Sequence, residues 1–447
     1  MYLAGAHSEI VVRLTTIEPD LESRMASGLQ GLSGIDRFRA LRRQRGLGIA
    51  LFGAIQYMLP NRITSIPEID FTLRFTRDWF EYPITRREAM HLFRLGFYPS
   101  NAALYNIAEH GHESYISDFA RLKYGWAVNG ETAEVLNDKA KLTDLLDQRG
   151  YDTVLPTEYG AVRDGEFTGT AEGIAALLRE ELALIIKPRH GGGGNNVHLC
   201  RYDGGTYLLD GNPINEQDLR SRFNDREYLV TEYCRPGEYI RSVFSDAAST
   251  IRIITMQPPD EDPFIAIATH RVGTAQSAPL DNFAAGGITT LINEDGVLQD
   301  GVCLREGTIT KCEQHPDTGE QISGTCVPGW STIKEEILTL AQSIPECPYV
   351  GWDLIVTAPG EMRIIEGNAN TGLEIQLHRP ILTDDRVRSF YEAHGFIPDD
   401  GPIDSIRSRL NTSNFRSWTQ SRPRKQRTNH PSDTDQEGLV GGEGPIR

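Results

Sequence analysis

Lysine is scarce in this chain. Seven of the 45 basic residues are lysines, at positions 123, 139, 141, 187, 311, 334 and 425, and the rest are arginines. Lysine is therefore not spread over the surface for solubility, and any lysine near a candidate site carries extra weight. Positive charge as a whole is in deficit. The formal net charge is -17, which disfavours nonspecific nucleic-acid binding, since a phosphate backbone needs a basic stripe, and such an acidic, arginine-rich balance would suit a solvent of high salt. The six cysteines, at 200, 234, 303, 312, 326 and 347, contain no CxxC pair. No secretory signal is read ahead of them, so a disulfide framework is not expected and a reducing cytoplasm is. Cys303, Cys312, His315 and Cys326 are too irregularly spaced for a zinc site, and KCEQHPDTGEQISG around them reads as a polar, turn-rich loop. Long apolar runs are also missing. Leu47 to Leu59, 13 residues interrupted by Gln56, falls short of the roughly 20 that span a bilayer. The basic FRALRRQR at Phe38 to Arg45 leaves contact with an anionic membrane surface open, although a packed helix is the expectation. Neither a Walker loop, a GxGxxG fingerprint, nor a Ser/His/Asp or Cys/His nucleophile is evident, and no repeat of fixed period is found.

What the chain does have is length, 447 residues at 39% hydrophobic, enough for two or three lobes. Tyr349 to Asn370, YVGWDLIVTAPGEMRIIEGNAN, places two runs rich in Val, Ile and Leu around Ala-Pro-Gly-Glu, the pattern of a tight hairpin. With the turn centred between Pro359 and Gly360, Asp353 faces Glu366, and Asn368 lies two residues on, on the same face. Facing carboxylates repel unless a cation joins them, and oxygen ligands of this kind suit magnesium or manganese. Leu182 to Asn196, LALIIKPRHGGGGNN, ends a strand at Lys187-Pro188 and continues into Gly191 to Gly194. Such a loop can bring backbone N–H groups close to an anion, with the lysine as a mobile counter-charge. An acidic surface hairpin and a flexible surface loop are the plain alternatives for each segment alone. Upstream, Tyr115 to Trp126 reads as strand or turn, and Asn129 to Gly150 leads into a helix capped by Asn137-Asp138, with Gly150 at its end. Lys139 falls in the first turn, an unfavourable place for a cation that a nearby phosphate would relieve.

Lys139, Lys187 before its glycines, VTEYCRPGE at Val230 to Glu238, Asp353 and Glu366-Gly-Asn368 follow one another in an order that resembles the ATP-grasp superfamily. STIRIIT at Ser249 to Thr255, LDNFAAGGI at Leu280 to Ile288, VPGW at Val327 to Trp330, and YVGWD with GLEIQLHRPIL are similar to its sugar-transfer-associated branch, related to α-L-glutamate ligases. The likeness runs from about Asn101 to about Ile397. It implies an α+β ATP-grasp fold with a nucleotide cleft between two lobes. It assigns Lys139, Lys187, Gly191, Gly192, Gly193 and Gly194 to the phosphates, Glu232 and Tyr233 to the adenine edge, Glu238 to the ribose, and Asp353, Glu366 and Asn368 to Mg2+ or Mn2+. Many relatives carry arginine two residues before the metal aspartate, where this chain has Gly351. Arg252 and Arg271 are the candidates to replace it, with Asn282 and the Gly286-Gly287 backbone beside Arg271 for an oxyanion.

The implied chemistry is ATP-dependent joining of a small-molecule carboxylate to an amine through an acyl phosphate, in a surface-polysaccharide or sugar-transfer context. A kinase-like phosphotransferase and a noncatalytic nucleotide-binding scaffold are the alternatives. His270 and His378 lie near the site without being assigned to it. Residues 1–100 are expected to form a mainly helical accessory region, 101–398 the ATP-grasp domain with a hinge near 230–238, and 399–447 a largely disordered tail. Trp79, Phe80, Tyr82, Phe93, Phe97 and Tyr98 are expected to pack against the following lobe.

Overall fold

The computed structural model describes residues 65–82, 84–191, 194, 196–305, 308–399 and 401–411. The expectations for FRALRRQR, for Leu47 to Leu59, for Gly192 and Gly193 and for the chain after 411 lie outside these residues. Among the described residues the helical accessory region includes α1 (Pro67–Glu81), started by proline in its first turn, and α2 (Arg86–Leu95), closed at its start by a Thr85/Glu88 capping box and at its end by Gly96 in the left-handed region. Phe71, Phe75, Phe93 and Tyr98 pack with Phe119, so this aromatic group forms its own small core. Phe97 alone of the expected cluster joins the next core, and Phe80 is exposed. The stretch 115–126 is not strand or turn. It carries α3 (Asp118–Tyr124), started by the Ser117 hydroxyl accepting from Ala120 N–H; the β-branched and aromatic residues that imply a strand are outweighed by that cap.

Asp138 caps α4 (Lys139–Gln148), accepting from Ala140 and Lys141 N–H, and Gly150 follows with φ +81°. Two all-antiparallel sheets of seven strands each come next. The first has the order β2-β1-β7-β3-β4-β5-β6, with β1 (Glu158–Arg163), β2 (Glu166–Gly169), β3 (Ala183–Pro188), β4 (His198–Asp203), β5 (Thr206–Leu209), β6 (Asn212–Ile214) and β7 (Tyr228–Glu232). The second has the order β12-β11-β10-β9-β8-β13-β14, with β8 (Ile251–Met256), β9 (Phe264–Val272), β10 (Ile288–Ile292), β11 (Leu298–Arg305), β12 (Thr308–Cys312), β13 (Tyr349–Ala358) and β14 (Glu361–Asn368).

The period-two alternation of strands sorts the second sheet into two faces. Ile251, Ile253, Val350, Trp352 and Leu354 point to one face and form the largest core with Ile333, Ile337 and Leu340 of α5 (Trp330–Ser343). Arg252, Ile254 and Met256 point to the other, as do Tyr349, Gly351 and Asp353. One end of this second face is covered by Phe97, Ile116 and Ala120 together with Val387 and Phe390 of α6 (Asp385–Ala393). Among the described residues the other end, with Arg252 and Asp353, has no apolar cover. The chain from 399 does not begin as a tail: α7 (Gly401–Asn411) packs back on α1 and α2, and Ser405 Oγ donates to Glu68 Oε1 at 2.6 Å. Among the described residues no helix is long and apolar enough to cross a membrane.

Candidate active site

Asp353 and Glu366 are direct cross-strand partners, and Asn368 pairs with Gly351. This register survives two irregularities that offset each other. Ile365 is an extra residue on β14 between the Asp353–Glu366 and Leu354–Ile364 pairs, and Thr357 is an extra residue on β13 nearer the turn. The first bulge turns the Ile365 carbonyl toward Lys187, whose Nζ donates to it at 3.4 Å. Lys187 ends β3 in the first sheet, so this bond crosses between the two sheets.

Lys139 approaches the same spot from α4. Its Nζ donates to the Gly191 carbonyl at 2.6 Å and lies 3.6 Å from Glu366 Oε1. The unfavourable placement of this cation in a first helical turn is answered within the protein by Glu366, the Gly191 carbonyl and the Asp138 cap, so it requires no bound phosphate. Asp138 also receives Arg189, with Nε–Oδ1 at 2.9 Å and Nη2–Oδ2 at 3.0 Å. Lys139 N–H donates to the Arg189 carbonyl at 3.2 Å. That clasp ties α4 to the strand end that opens the glycine loop. Burial presses the Lys187 ammonium down to about 8, helped by the charge of Lys139 and opposed by Glu366. Between the sheets lies a cleft lined by both lysines, Leu142, Leu155, Glu158 and Ile365.

Arg252 is the cross-strand partner of Asp353 on β8. Its Nε and Nη2 both donate to the carboxylate, the latter at 2.7 Å, and Arg271 Nη2 adds a third bond at 3.1 Å. Burial pushes the Asp353 carboxyl up, but the two guanidiniums outweigh it and hold the group below its usual range. For Glu366 burial prevails: reinforced by the Asp353 charge and only partly opposed by Lys139, it pushes the carboxyl up. Gly351 has a steric reason. A Cβ there would overlap Thr371 Cγ2 and touch Arg252 Cδ at 3.5 Å, so the space an arginine on β13 would need is taken by Thr371 and by the arginine arriving from β8.

Asp353, Glu366, Asn368, Arg252, Arg271, Lys139 and Lys187 thus gather in one place, with Gly191 at its edge. Gly194, at φ +72°, approaches Leu280 of the 273–287 loop, where a Cβ would lie 2.8 Å from Cδ1. The remaining candidates have other engagements. Glu232 Oε2 accepts from Thr157 N–H and Oγ1, each at 3.1 Å. Tyr233 lies under the Arg201 guanidinium at 5.6 Å. Glu238 is exposed and paired with Arg241. The Asn282 carbonyl accepts from Ala285 and Gly287 N–H at 3.0 Å, which shapes the loop.

Asp281 and Thr289 gave little sequence signal. Asp281 is buried and accepts from Thr250 N–H and Oγ1 at 2.7 and 2.6 Å. Burial raises its carboxyl, with Arg271 opposing; its place beside Asn282 was the one available hint. Thr289, the cross-strand partner of Arg271, bonds His378 Nε2 at 3.0 Å. His315 lies buried with Nε2 on the Gly273 carbonyl at 2.8 Å. The cysteines are all free, and among the described residues no cluster of His, Cys, Asp or Glu has the makings of a metal site of three such ligands.

The donor set at the hairpin fits a hard divalent cation of the kind held by one or two carboxylates plus substrate oxygens. Glu366 has the looser ion pair, with Lys139 at 3.6 Å, and Asp353 is shared with two arginines.

A sequence model of sugar-transfer associated ATP-grasp proteins matches residues 122–386. The chain belongs to the sugar-transfer associated ATP-grasp family. The matched residues run from α3 through both sheets into α6, so the ATP-grasp fold accounts for both walls of the cleft. Among curated proteins none matches this ATP-grasp chain. Solved structures similar to it include an ADP complex of N5-carboxyaminoimidazole ribonucleotide synthetase, at 11% identity and a TM-score of 0.32, covering 56% of this chain and 51% of that one. A Chryseobacterium gregarium RiPP-associated ATP-grasp ligase with ADP and a leader and core peptide is similar at 13% and 0.33, covering 60% and 63%. An L-amino acid ligase from Bacillus licheniformis is similar at 12% and 0.30, covering 57% and 42%. In each case less than two thirds of the other protein's length is covered.

Proposed function

We propose that this protein is an ATP- and magnesium-dependent ligase that joins a carboxylate to an amine. The reading rests above all on one observation: lysines from two separate elements, Lys139 and Lys187, converge on the hairpin whose Asp353–Glu366 pair is flanked by Arg252 and Arg271. In this reading the two lysines and the Gly191 to Gly194 backbone hold the phosphates of ATP. Glu232 and Tyr233 edge the adenine, and Glu238 serves the ribose. Asp353, Glu366 and Asn368 would hold magnesium or manganese, which neutralises charge on the phosphate oxygens when bound. The substrate carboxylate attacks the γ-phosphorus, ADP leaves, and an acyl phosphate forms. Arg252 and Arg271 orient the transferred group and balance its charge. The amine then attacks the acyl carbon, its proton is lost, inorganic phosphate departs, and the amide remains. Arg271, Asn282 and the Gly286-Gly287 backbone steady the oxyanion of that second step. The family description supports a sugar-transfer setting, and the free cysteines suit a reducing cytoplasm.

The test is to incubate the protein with Mg·ATP, pools of carboxylates and hydroxylamine. Hydroxamate formation that is lost in Asp353→Ala and Glu366→Ala is the expected result. ATP consumption yielding a stable phosphorylated product without amine dependence would instead point to a kinase, and unaltered cellular activity of both variants would leave only a scaffold.

A further inference from the structure

One polar residue from each of four neighbouring strands lies on the same face of the second sheet. Asp353 on β13 is the cross-strand partner of Arg252 on β8, and Arg252 is the partner of Thr269 on β9. Arg271, two residues beyond Thr269 and so on the same face, is the partner of Thr289 on β10. With strands about 4.8 Å apart, this row extends roughly 14 Å sideways from Asp353 to Thr289. Charge runs out along it: a carboxylate, two guanidiniums, then a neutral hydroxyl.

The segment that follows the hairpin crosses from one end of this row to the other. Thr371 fills the space over Gly351 on β13, and His378 Nε2 bonds Thr289 Oγ1 on β10 at 3.0 Å. The crossing is held at several points. Arg121 Nε donates to the Thr371 carbonyl, Gln376 accepts from Ile116 N–H at 2.8 Å and donates to the Ile116 carbonyl at 3.1 Å, and Arg379 Nη2 donates to the Ala266 carbonyl of β9 at 2.7 Å. His378 is therefore fixed at the neutral end of the row. The ring is half-buried, and burial lowers it from 6.5 to about 4. At neutral pH it is an uncharged imidazole with one nitrogen bound to Thr289 and the other, Nδ1, without a protein partner among the described residues.

An uncharged imidazole is a poor partner for a carboxylate, which the guanidiniums nearer Asp353 suit far better. It is a good acceptor for the N–H of a neutral amine. The second step of the ligation needs its amine in that form, since an ammonium has no lone pair for attack and would be repelled by Arg252 and Arg271. We propose that His378 receives the incoming amine: with Nε2–H donated to Thr289 Oγ1, Nδ1 accepts a hydrogen bond from the amine N–H and aims its lone pair along the row toward the acyl carbon at the arginines. This role rests on the ligase reading above. Carboxylate and ATP react at the Asp353 end, and the amine enters from the β10 end. Thr289 is a positioning residue that sets the tautomer and the ring plane of His378. His378 orients the amine and keeps no proton: the N–C bond forms, the acyl C–O bond breaks, and the proton released by nitrogen leaves with the phosphate.

Hydroxylamine, largely unprotonated at neutral pH, is the probe. In the hydroxamate assay with Mg·ATP and the carboxylate pool, the rate of the parent chain should saturate in hydroxylamine. His378→Gln keeps a group able to bond Thr289 but loses Nδ1. It should raise the KM for hydroxylamine by roughly tenfold, the weight of one hydrogen bond, and leave the KM for Mg·ATP and the melting temperature unchanged. Thr289→Val removes the hydroxyl that orients the ring and should shift the same constant in the same direction by less; it stands as the test should His378→Gln fail to fold. The inference is overturned by a hydroxylamine dependence that never saturates in the parent chain, or by KM values for hydroxylamine and ATP that rise together, which is the mark of a purely structural role. Absence of hydroxamate from the parent chain overturns the ligase reading and this role with it. Hydroxamate formation with an unchanged hydroxylamine KM in both variants overturns the role of His378 alone.

Discussion

Asp353 and Glu366 are two acids on one face of one hairpin, yet their surroundings drive them apart. Asp353 is held ionised by two guanidiniums, and Glu366 is pushed toward the neutral form by burial. Removing Arg252 would leave the buried Asp353 charge to Arg271 alone, a change that costs up to about 3–5 kcal/mol when a buried pair is broken. Arg252→Gln should therefore be strongly destabilised in urea melts, and Arg252→Gln with Asp353→Asn should recover much of the loss. If the double variant is no more stable than the single one, the pair is not what holds these strands. Lys187, pressed down to about 8 by burial and by Lys139, gives the site a pH dependence. Its charged form attracts phosphate, so nucleotide affinity should decline as pH rises through the region above about 8, and Lys187→Arg should remove that decline. Fluorescent-nucleotide titrations between pH 7 and 9.5 measure it.

At the scale of elements, the hairpin and its neighbours decide how the site is built. The close approach of Thr371 to Gly351 predicts that Gly351→Ala is destabilised by about 1–3 kcal/mol through overpacking. Adding Thr371→Ser removes the offending methyl and should restore both melting temperature and turnover; a double variant as poor as the single one would refute the steric account. The hairpin was legible in the sequence because its pairing is local: a turn at Pro359-Gly360 sets Asp353 against Glu366 a few residues away. Even so, the pairing holds only because Ile365 and Thr357 bulge on opposite strands, which no alternation pattern reveals. The Asp138 cap of α4 was readable for the same local reason. The Arg189 grip on Asp138 was not, since it joins residues 51 positions apart, and α3 was misread because one serine cap settled a segment of mixed propensity.

Across the whole molecule, buried ionisable groups with opposite leanings shape the response to acid. His270 is fully buried between the Tyr239 hydroxyl at 2.8 Å and the Arg271 carbonyl at 3.0 Å, and burial lowers it from 6.5 to about 4. The stability it confers is present above about 6.5 and is lost as pH falls toward 4, by at most about 3 kcal/mol. His378 acts in the same direction. Asp118, raised to about 7 by burial, acts in the opposite direction: its contribution is complete below the ordinary aspartate range and is lost as pH rises through about 7. The total curve is therefore flattened, and the histidine is read by difference. Relative to the parent chain, His270→Gln should gain stability between pH 7 and pH 5; a constant difference would show that His270 does not titrate on unfolding.

The sequence by itself determined the order of the parts: two lysines conspicuous by scarcity, a glycine loop after a strand, and a hairpin with facing acids, all features set by local periodicity and turn chemistry. Tertiary structure decided which charges answer one another. Arg252 reaches Asp353 because β8 lies beside β13, Lys139 meets Glu366 because α4 is clasped to the end of β3, and Arg121 on α3 reaches the Asn370 and Thr371 carbonyls because the N-terminal helices roof one end of the second sheet. Those contacts span tens to hundreds of residues. Side-chain period and propensity act over a few residues only, so pairings of this range are fixed by packing and not by any pattern within the segments themselves.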